Sequence, residues 1–295
     1  MSNHCGYVAI VGRPNVGKST LLNRVIGQKV AITSHKAQTT RHSILGIKTT
    51  ETGQIIYVDT PGIHDRADHA MNRYLNRTAK ASLFEVDLII FVVEALKWTR
   101  EDEKVLNFLL KQESPVILAV NKCDQVKSKE RLLPYLQEMS QRYAFDEVIP
   151  ISASKGSYVE MLEEQVLTRM PEGVNIFPED QLSDRSDRFF AAELIREQLT
   201  RRYAQELPYA LSVEIEQFKE EGNLYRIAAI VWVEKSSQKA IIIGKNGAAL
   251  KEVSKHARIG MEKFFDKKVF LQVWVKVKKS WSSDESSLTR LGYGE

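Results

Sequence analysis

The chain has 295 residues, 43% of them hydrophobic and 27% charged, a composition typical of a folded soluble protein large enough for two domains. Its formal net charge is +4, and Lys235–Lys279 holds 12 basic and 3 acidic residues, an excess that suits either a bound polyanion or a solvated lysine-rich surface. No stretch approaches the roughly 18 apolar residues of a membrane span, and the start of the chain lacks the features of a signal peptide.

The first half of the chain alternates short apolar runs with longer helical patterns. The runs are Tyr7–Val11, Ile55–Val58, Leu88–Val93, Val116–Val120 and Val148–Ile151. Continuous apolar runs separated by helices predict an α/β fold with a mostly parallel sheet covered on both faces. In such folds the ligand binds beyond the carboxyl ends of the strands.

A break near Met170 separates this half from the rest. The segment MPEGVNIFPEDQLSD has two prolines, a glycine and four acidic residues, which predicts an exposed linker. A helix over Ser186–Tyr203 follows, then two alternating strands, two helical segments and a last strand, which predict a smaller α+β domain. We therefore expect domains at 1–170 and 186–280, a linker at 171–185 and a tail at 281–295.

The strongest motif lies between the first strand and the first helix. Gly12–Ser19, GRPNVGKS, fits the phosphate-binding pattern G-x-x-x-x-G-K-[ST]. Its glycines let backbone N–H groups turn toward phosphates, Lys18 places a charge at the β- and γ-phosphates, and the Ser19 hydroxyl can ligate Mg²⁺. The sequence therefore predicts a nucleoside triphosphate site at this loop.

Two further motifs end later strands. Asp59-Thr60-Pro61-Gly62 follows one run, where Asp59 can hold Mg²⁺ through water and the Gly62 N–H can meet a γ-phosphate. Asn121-Lys122-Cys123-Asp124 follows another. The Asp124 carboxylate can accept paired hydrogen bonds from guanine N1–H and N2–H₂, which adenine does not offer, so the motif predicts guanine selectivity.

The remaining base contacts are expected from Lys122 and from the end of the last strand. The aliphatic stem of Lys122 can lie over the base plane. Ile151-Ser152-Ala153-Ser154 places the Ala153 N–H where it could meet guanine O6. The expected GTP-binding set is Gly12, Asn15, Val16, Gly17, Lys18, Ser19, Thr20, Asp59, Gly62, Asn121, Lys122, Asp124, Ser152 and Ala153.

These four motifs, in this order, resemble those of the Ras-like GTPase superfamily. The resemblance implies GTP hydrolysis with Mg²⁺ as cofactor, and it implies a switch-loop threonine that reaches the metal. Thr39 and Thr40 are both candidates, and by similarity we prefer Thr40. The expected metal ligands are then Ser19, Thr40 and, through water, Asp59; Lys18, Ser19, Thr40 and Gly62 are the expected catalytic residues.

One departure from the Ras-like pattern bears on the rate. Ile63 stands where those proteins carry a water-orienting glutamine, and isoleucine cannot hydrogen-bond water, so we expect slow intrinsic hydrolysis. Related GTPases suggest the hypothesis that Asn15 helps to bind K⁺, which would supply part of the missing charge; Asn15 as a simple loop residue is the alternative.

The second domain carries one short motif of its own. Gly244-Lys245-Asn246-Gly247 lies between two helical segments, and the order helix–strand–strand–helix–GKNG–helix–strand resembles a type II KH domain. Loops of this kind clamp about four nucleotides of single-stranded RNA. The expected RNA-binding residues are Ile243, Gly244, Lys245, Asn246, Gly247, Lys251, Lys255 and Arg258. Phe270 and Trp274 share one side of the last strand, where packing under a helix is favoured over stacking on bases.

A Ras-like domain followed by a KH domain, with KAQTTR, DTPGIH and a closing WVKVKKSW, resembles the Era family of bacterial GTPases over essentially the whole chain. That resemblance implies binding of GTP or GDP, binding near the 3′ end of small-subunit ribosomal RNA, and a role in small-subunit assembly. It also implies a cytoplasmic monomer in peripheral contact with the inner membrane. The two cysteines, Cys5 and Cys123, have no metal-ligand spacing and suit reduced cytosolic thiols.

Three functional classes remain open at this point. In a molecular switch, GTP binding changes how the second domain holds RNA. In a constitutive RNA-binding protein, GTP is only structural. A metabolic P-loop kinase is disfavoured, because the N-K-x-D motif suits guanine and no acceptor site is evident in the sequence.

Overall fold

Two units divide the part of the chain that the structure, a computed structural model, describes: residues 3–34, 36, 39–62, 70–81, 85–203, 207–282, 284, 288, 289 and 293. The first unit takes most of the chain up to Asp184. The second takes the described residues from Arg185 onward, together with those of the short segments 34–39 and 70–74. Among the described residues, no helix has both the length and the apolar character needed to cross a membrane.

The first unit is built on a six-stranded sheet with the strand order β2-β3-β1-β4-β5-β6. All neighbouring strands are parallel except β2, which runs antiparallel to β3. In chain order up to Asp184 the elements are β1 (His4–Val11), α1 (Lys18–Ile26), β2 (Ile44–Thr50), β3 (Gly53–Asp59), α2 (Ala70–Ala81), β4 (Leu88–Glu94), α3 (Arg100–Leu109), β5 (Val116–Asn121), α4 (Leu132–Ser140), β6 (Glu147–Pro150) and α5 (Val159–Leu167).

The predicted α/β fold with a mostly parallel sheet is confirmed. Every residue of β3 and of β5 is buried, as expected for strands covered on both faces. The five apolar runs correspond to β1, β3, β4, β5 and β6. The strand β2 has no counterpart among the predicted runs, because this edge strand mixes buried and exposed positions and forms no continuous apolar run.

Residues 171–184, here called the strap, contact the starts of β1 and β3 and then run along the open edge of β2. The Ile47 N–H donates to the Leu182 carbonyl at 2.9 Å, and Ser183 forms a bridge with Gly46. The strap thereby covers the open edge of β2, which would otherwise present unpaired backbone groups. This segment, predicted as an exposed linker, therefore belongs structurally to the first unit.

Gln54 holds the middle of the strap. Its side chain is fully buried, and its Oε1 accepts hydrogen bonds from the N–H groups of Ile176 and Phe177, both at 2.9 Å. Its Nε2 donates to the Phe177 carbonyl and to Thr49 Oγ1, also at 2.9 Å. A single glutamine thus satisfies three backbone groups that the strap brings into the interior.

The second unit has a three-stranded sheet with helices in the order predicted for a type II KH domain, which is confirmed. The strands β7 and β8 are antiparallel, and β8 and β9 are parallel. The elements are α6 (Asp187–Arg202), β7 (Leu211–Glu221), β8 (Leu224–Val233), α7 (Ser236–Ile243), α8 (Ala248–Phe265) and β9 (Lys268–Val277). Apolar side chains of α6, α7 and α8 form one core with one face of the sheet.

Beyond β9, the described residues of the tail also contribute to this unit. Trp281 is completely buried, and its indole N–H donates to the Ala210 carbonyl at 3.3 Å. Leu288 and Tyr293 are buried as well. Burying a tryptophan with its N–H satisfied is a stabilising arrangement, so Trp281 anchors the chain just after the last strand.

Candidate nucleotide-binding and RNA-binding sites

The phosphate-binding loop joins β1 to α1 and depends on its two glycines. Gly12 has a φ of 149°, and a Cβ there would lie 2.4 Å from the Val92 carbonyl oxygen. Gly17 has a φ of 107°, and its Cβ would lie 2.3 Å from Nδ2 of Asn121. Only glycine fits either position, because both the backbone conformation and the space exclude a side chain.

Lys18 begins α1 and is buried within this loop. Its Nζ donates to the carbonyl oxygens of Gly12 at 2.9 Å and Arg13 at 3.1 Å. Burial lowers the pKa of Lys18 to about 8, against the opposing effect of Asp59. The ammonium therefore lies in the loop where phosphate oxygens would meet it.

The expected Mg²⁺ ligands lie together beside the loop. Ser19 Oγ is 2.7 Å from Asp59 Oδ2 and 2.8 Å from Thr40 Oγ1, and Thr40 Oγ1 is 3.4 Å from the same Asp59 oxygen. Thr39 is turned elsewhere, since its hydroxyl donates to the Lys36 carbonyl at 2.6 Å. The structure thus brings Thr40, and not Thr39, to Ser19 and Asp59.

The Asp59 carboxylate fits a bound cation. Its Oδ1 atom is buried and has no hydrogen-bond partner among the described residues. Burial raises the pKa of Asp59 to about 6, although Lys18 and the hydrogen bonds from Ser19 and Thr40 act in the opposite direction. Three oxygen ligands with one orphaned carboxylate oxygen suit Mg²⁺, which prefers oxygen ligands.

Gly62 follows the same strand and approaches the phosphate-binding loop. A Cβ on Gly62 would lie 2.9 Å from Cγ of Pro14, so its backbone lies against the loop as the motif requires. Ile63, the residue behind the expectation of slow hydrolysis, lies outside the described residues.

The base-recognition motif is fastened to the loop through Asn121. Its Nδ2 donates to the Val16 carbonyl at 2.8 Å, and its Oδ1 accepts the Ala153 N–H at 3.0 Å. Asp124 is oriented by Ser152, whose hydroxyl donates to Asp124 Oδ1 at 2.6 Å. The residues predicted to contact the base are therefore together at one edge of the sheet, as are the predicted phosphate contacts.

The other predicted members of the nucleotide site surround the same loop. Val16 is buried, and Thr20 is half-buried in the first turn of α1. Asn15 is exposed at the tip of the loop, with a left-handed φ of 65°. Lys122 also has a φ of 65°. Asparagine tolerates the left-handed conformation better than most residues, which suits Asn15 at the tip of the loop.

A group of charged residues beside the loop, Arg13, Glu94 and Asp102, is not among the predicted site residues. Arg13 donates to Glu94 Oε2 and to Asp102 Oδ2, both at 3.0 Å, and Lys122 Nζ is 3.2 Å from the same Glu94 oxygen. A usable signal was present, because Glu94 ends a buried strand just as Asp59 and Asn121 do.

In the second unit, the GKNG loop joins α7 to α8 through a tight turn. Gly244 has a φ of 69°, and a Cβ there would lie 2.6 Å from Cβ of Ala249. Asn246 and Gly247 are also left-handed, with φ of 51° and 75°. Lys245 and Asn246 are exposed, and Ile243 is half-buried at the end of α7. The loop therefore presents a backbone and a charge to solvent where a nucleic-acid strand could pack.

The predicted basic residues of α8 share one face of the helix. Lys251, Lys255 and Arg258 follow at i, i+4 and i+7, and the two lysines are exposed. Arg258 is half-buried and paired with Glu262 at 2.8 Å. The lysine pair thus extends the positive surface that starts at Lys245, whereas the charge of Arg258 is shared with an acid.

The expectation that Phe270 and Trp274 pack under a helix is wrong. Each is 45% exposed. The helices cover the other face of the sheet, where the alternate residues Val269 and Val275 belong to the core. The guanidinium of Arg226 lies 5.4 Å from the centre of the Phe270 ring.

Comparison with known proteins agrees with this geometry. A family model described as 50S ribosome-binding GTPase matches residues 7–122, and a KH domain model matches residues 206–282. GTPase Era of Pseudomonas aeruginosa (strain LESB58) is 54% identical over 293 residues, which are 99% of this chain and 96% of the relative. GTPase Era of Azotobacter vinelandii is 54% identical over 292 residues, 99% of this chain and 97% of the relative.

Solved structures match over the same extent. A crystal structure of Era in complex with MgGDPNP and nucleotides 1506–1542 of 16S ribosomal RNA is 38% identical, with a TM-score of 0.95 over 99% of this chain and 100% of that chain. A point variant of Aquifex aeolicus Era bound to GDP·AlF4⁻ matches with the same identity, score and coverage. The chain therefore belongs to the GTPase Era family and is a GTPase, built of a Ras-like GTPase domain and a type II KH domain.

Proposed function

We propose that this GTPase is a molecular switch that binds small-subunit ribosomal RNA near its 3′ end and acts in assembly of the small ribosomal subunit. The observation that carries the proposal is the whole-chain match to Era in complex with a fragment of 16S ribosomal RNA. The match covers 99% of this chain, and so spans both its nucleotide site and its GKNG loop. The GTPase family model carries a 50S name but spans only residues 7–122, so the whole-chain match outweighs it.

At the nucleotide site, we assign the phosphates to the backbone of the loop and to Lys18, and guanine to Asp124, Ala153 and the stem of Lys122. Ser19, Thr40 and Asp59 would hold Mg²⁺, which neutralises charge on the phosphates when bound. The Gly62 N–H would meet the γ-phosphate. Hydrolysis is then slow, because Ile63 offers no group that could orient the attacking water.

K⁺ is proposed as an additional cofactor. Asn15 is exposed at the tip of the loop, so its side-chain oxygen is free to face a cation beside the phosphates. Rates of phosphate release in K⁺ and in Na⁺ at equal ionic strength test this role. Faster hydrolysis in K⁺, lost in Asn15→Ala, is expected; equal rates in both salts would contradict it.

RNA binding is tested with the Lys245→Asp/Asn246→Asp double variant. Both residues are exposed, and aspartate tolerates the left-handed backbone at position 246, so the fold and GTP binding should be retained. Two negative charges should lower the affinity for a 3′-terminal 16S fragment by about 10-fold or more, since each lost phosphate contact weakens binding. Unchanged affinity would contradict the proposed RNA site, and GDP affinity serves as the internal control.

The switch is distinguished from constitutive RNA binding by comparing RNA affinity with a GTP analogue, with GDP and without nucleotide. A coupled switch predicts a several-fold difference, a coupling of about 1–3 kcal/mol. Identical affinities would favour a structural role for GTP. A phosphate-release assay over a panel of nucleotides, with acceptor molecules present and absent, tests the kinase alternative.

We further propose a cytoplasmic monomer in peripheral contact with the inner membrane. The membrane contact rests on the resemblance to the Era family alone, whereas the cysteines Cys5 and Cys123, which suit reduced thiols, also favour the cytoplasm. Sedimentation of the purified protein tests the monomer, and flotation with vesicles of bacterial inner-membrane lipids tests the contact. A dimeric mass, or absence from the floated fraction, would contradict the respective part.

A further inference from the structure

Glu94 joins two parts of the nucleotide site that no sequence motif connects. It ends β4, and its Oε2 atom accepts hydrogen bonds from the phosphate-binding loop, through Arg13 at 3.0 Å, and from the base-recognition motif, through Lys122 at 3.2 Å. Both cations meet the same oxygen. A movement of either one therefore changes the position or the charge environment of the other.

Arg13 is the fixed member of this group. Its guanidinium side chain is 7% exposed and is held from a second side by Asp102, which is fully buried. Asp102 in turn closes the capping box of α3 with Thr99. Because a buried guanidinium with two paired carboxylates cannot shift without leaving a charge unpaired, Arg13 keeps Glu94 in one place.

Lys122 is the member that Glu94 positions. Its backbone is fixed, because the neighbouring Asn121 side chain is bonded to Val16 and Ala153. Its side chain is a flexible four-carbon stem, so the ammonium at the tip of the side chain needs a partner to stay in one conformation. The hydrogen bond from the Lys122 ammonium to Glu94 fixes the outer end of the stem, and the backbone fixes the other end.

We propose that Glu94 is a positioning residue for guanine nucleotides: it holds the Lys122 stem over the base and ties it through Arg13 to the loop that binds the phosphates. This inference rests on the proposed contact of Lys122 with guanine. Burial acts to raise the pKa of Glu94, but the hydrogen bonds from Arg13 and Lys122 outweigh it, so the carboxylate stays charged near neutral pH.

The chain offers a matched control at the same carboxylate. Lys97 Nζ lies 3.9 Å from Glu94 Oε2, but its side chain is 57% exposed and it belongs to none of the nucleotide motifs. Lys97→Met and Lys122→Met remove the same charge and keep an unbranched apolar stem. Only the second should affect the nucleotide, because only Lys122 follows Asn121 in the base-recognition motif.

The experiment is a double-mutant cycle on the GDP dissociation rate of the full chain, measured with Glu94→Gln, Lys122→Met and the pair. Glu94→Gln should accelerate dissociation about 10-fold, equivalent to about 1.4 kcal/mol. In the Lys122→Met background the same change should have much less effect, since Glu94 acts largely through that ammonium. Lys97→Met should leave the rate unchanged. If each substitution acted only by loosening its own packing, the double variant would show the product of the two single accelerations of GDP dissociation.

The possible failures are separable. If Lys122→Met leaves the GDP dissociation rate unchanged, the proposed base contact of Lys122 is wrong. If Lys122→Met accelerates it but Glu94→Gln does not, or if the two effects multiply, the inference about Glu94 is wrong. Should Glu94→Gln fail to fold, Glu94→Asp takes its place in the cycle, because it keeps a charge for Arg13 and shortens the reach to Lys122.

Discussion

Gly17 lies directly against Asn121: a Cβ on Gly17 would be 2.3 Å from the Asn121 Nδ2 atom. The phosphate-binding loop and the base-recognition motif are therefore in van der Waals contact, far apart as they are in sequence. The contact leaves no room for a side chain between the two halves of the nucleotide site.

Gly17→Ala is expected to weaken nucleotide binding strongly without unfolding the protein. The added methyl group must displace Asn121, and the alanine must adopt a φ of 107°, which is strained for any residue with a side chain. GDP affinity should fall at least about 100-fold, the equivalent of about 3 kcal/mol, as measured by fluorescent-nucleotide titration. The control is Gly27→Ala, which has a φ of 77° but no atom within 4 Å of the new methyl. It should lower stability by about 1–2 kcal/mol and leave affinity intact; equal affinity in both variants would refute the steric argument.

Nucleotide binding should weaken as pH rises above about 8. Burial gives the free protein a Lys18 pKa of about 8. Phosphate charge raises that pKa, so binding above pH 8 takes up a proton and affinity falls toward tenfold per pH unit. Calorimetry in buffers of different ionisation enthalpy measures the proton uptake. No uptake at pH 8.5 would show that Lys18 is fully protonated before binding.

Mg²⁺-dependent binding should weaken as pH falls through about 6. Burial raises the pKa of Asp59 to about 6 in the free protein, and a cation favours the carboxylate, so the metal must displace a proton below that pH. The nucleotide phosphate titrates in the same range. The Asp59→Asn variant cannot titrate at this position, so its pH profile shows the contribution of the phosphate. The difference between the pH profiles of the wild type and Asp59→Asn then reports the titration of Asp59. Superimposable profiles would contradict the prediction.

Gln54→Leu should loosen the strap. Leucine leaves the Ile176 and Phe177 N–H groups and the Phe177 carbonyl without their partner, at a cost of about 3 kcal/mol. Hydrogen exchange of the amides of 176–177 should accelerate about 100-fold, whereas amides of β5 should change much less. Thr49→Val removes only one of the four hydrogen bonds of Gln54 and serves as the control. Equal protection in wild type and Gln54→Leu would contradict the assigned role.

Lys251 and Lys255 should contribute to RNA affinity through charge alone. Replacing either with glutamine should reduce the slope of log affinity against log salt by about 0.7, the value for one phosphate contact with a single strand. Lys267→Gln is the control, because Lys267 lies beyond the C-terminal end of α8, whereas the GKNG loop precedes its N-terminal end, about 25 Å away along the helix axis. The same slope in all variants would exclude the α8 lysines from the RNA site.

Much of the nucleotide site could be predicted from sequence because each of its motifs is short and follows a buried strand. Asp59 and Asn121 stand directly at strand ends, and parallel strands bring those ends to one edge. Glu94 stands in the same kind of position, yet its partners Arg13 and Lys122 are 81 and 28 residues away in the chain. Pairings over such distances follow from the fold and have no local pattern.

The faces of the KH sheet show a different limit. Alternation along β9 separates Phe270 and Trp274 from Val269 and Val275, but period-2 alternation does not say which face the helices cover. All three helices contribute to the core on the valine side. The aromatic side is therefore exposed, a result that depends on the direction of the helix connections.

The path of the strap determines where the protein can be cut into working parts. A polypeptide ending at Met170 would leave β2 with an unpaired edge and Gln54 with three of its four hydrogen bonds unmade. Such an edge pairs readily with other molecules, so this fragment should aggregate. A fragment ending at Asp184 keeps its own edge cover. The strap, whose prolines and acidic residues predict a linker, thus completes the sheet of the GTPase unit by pairing with its edge strand.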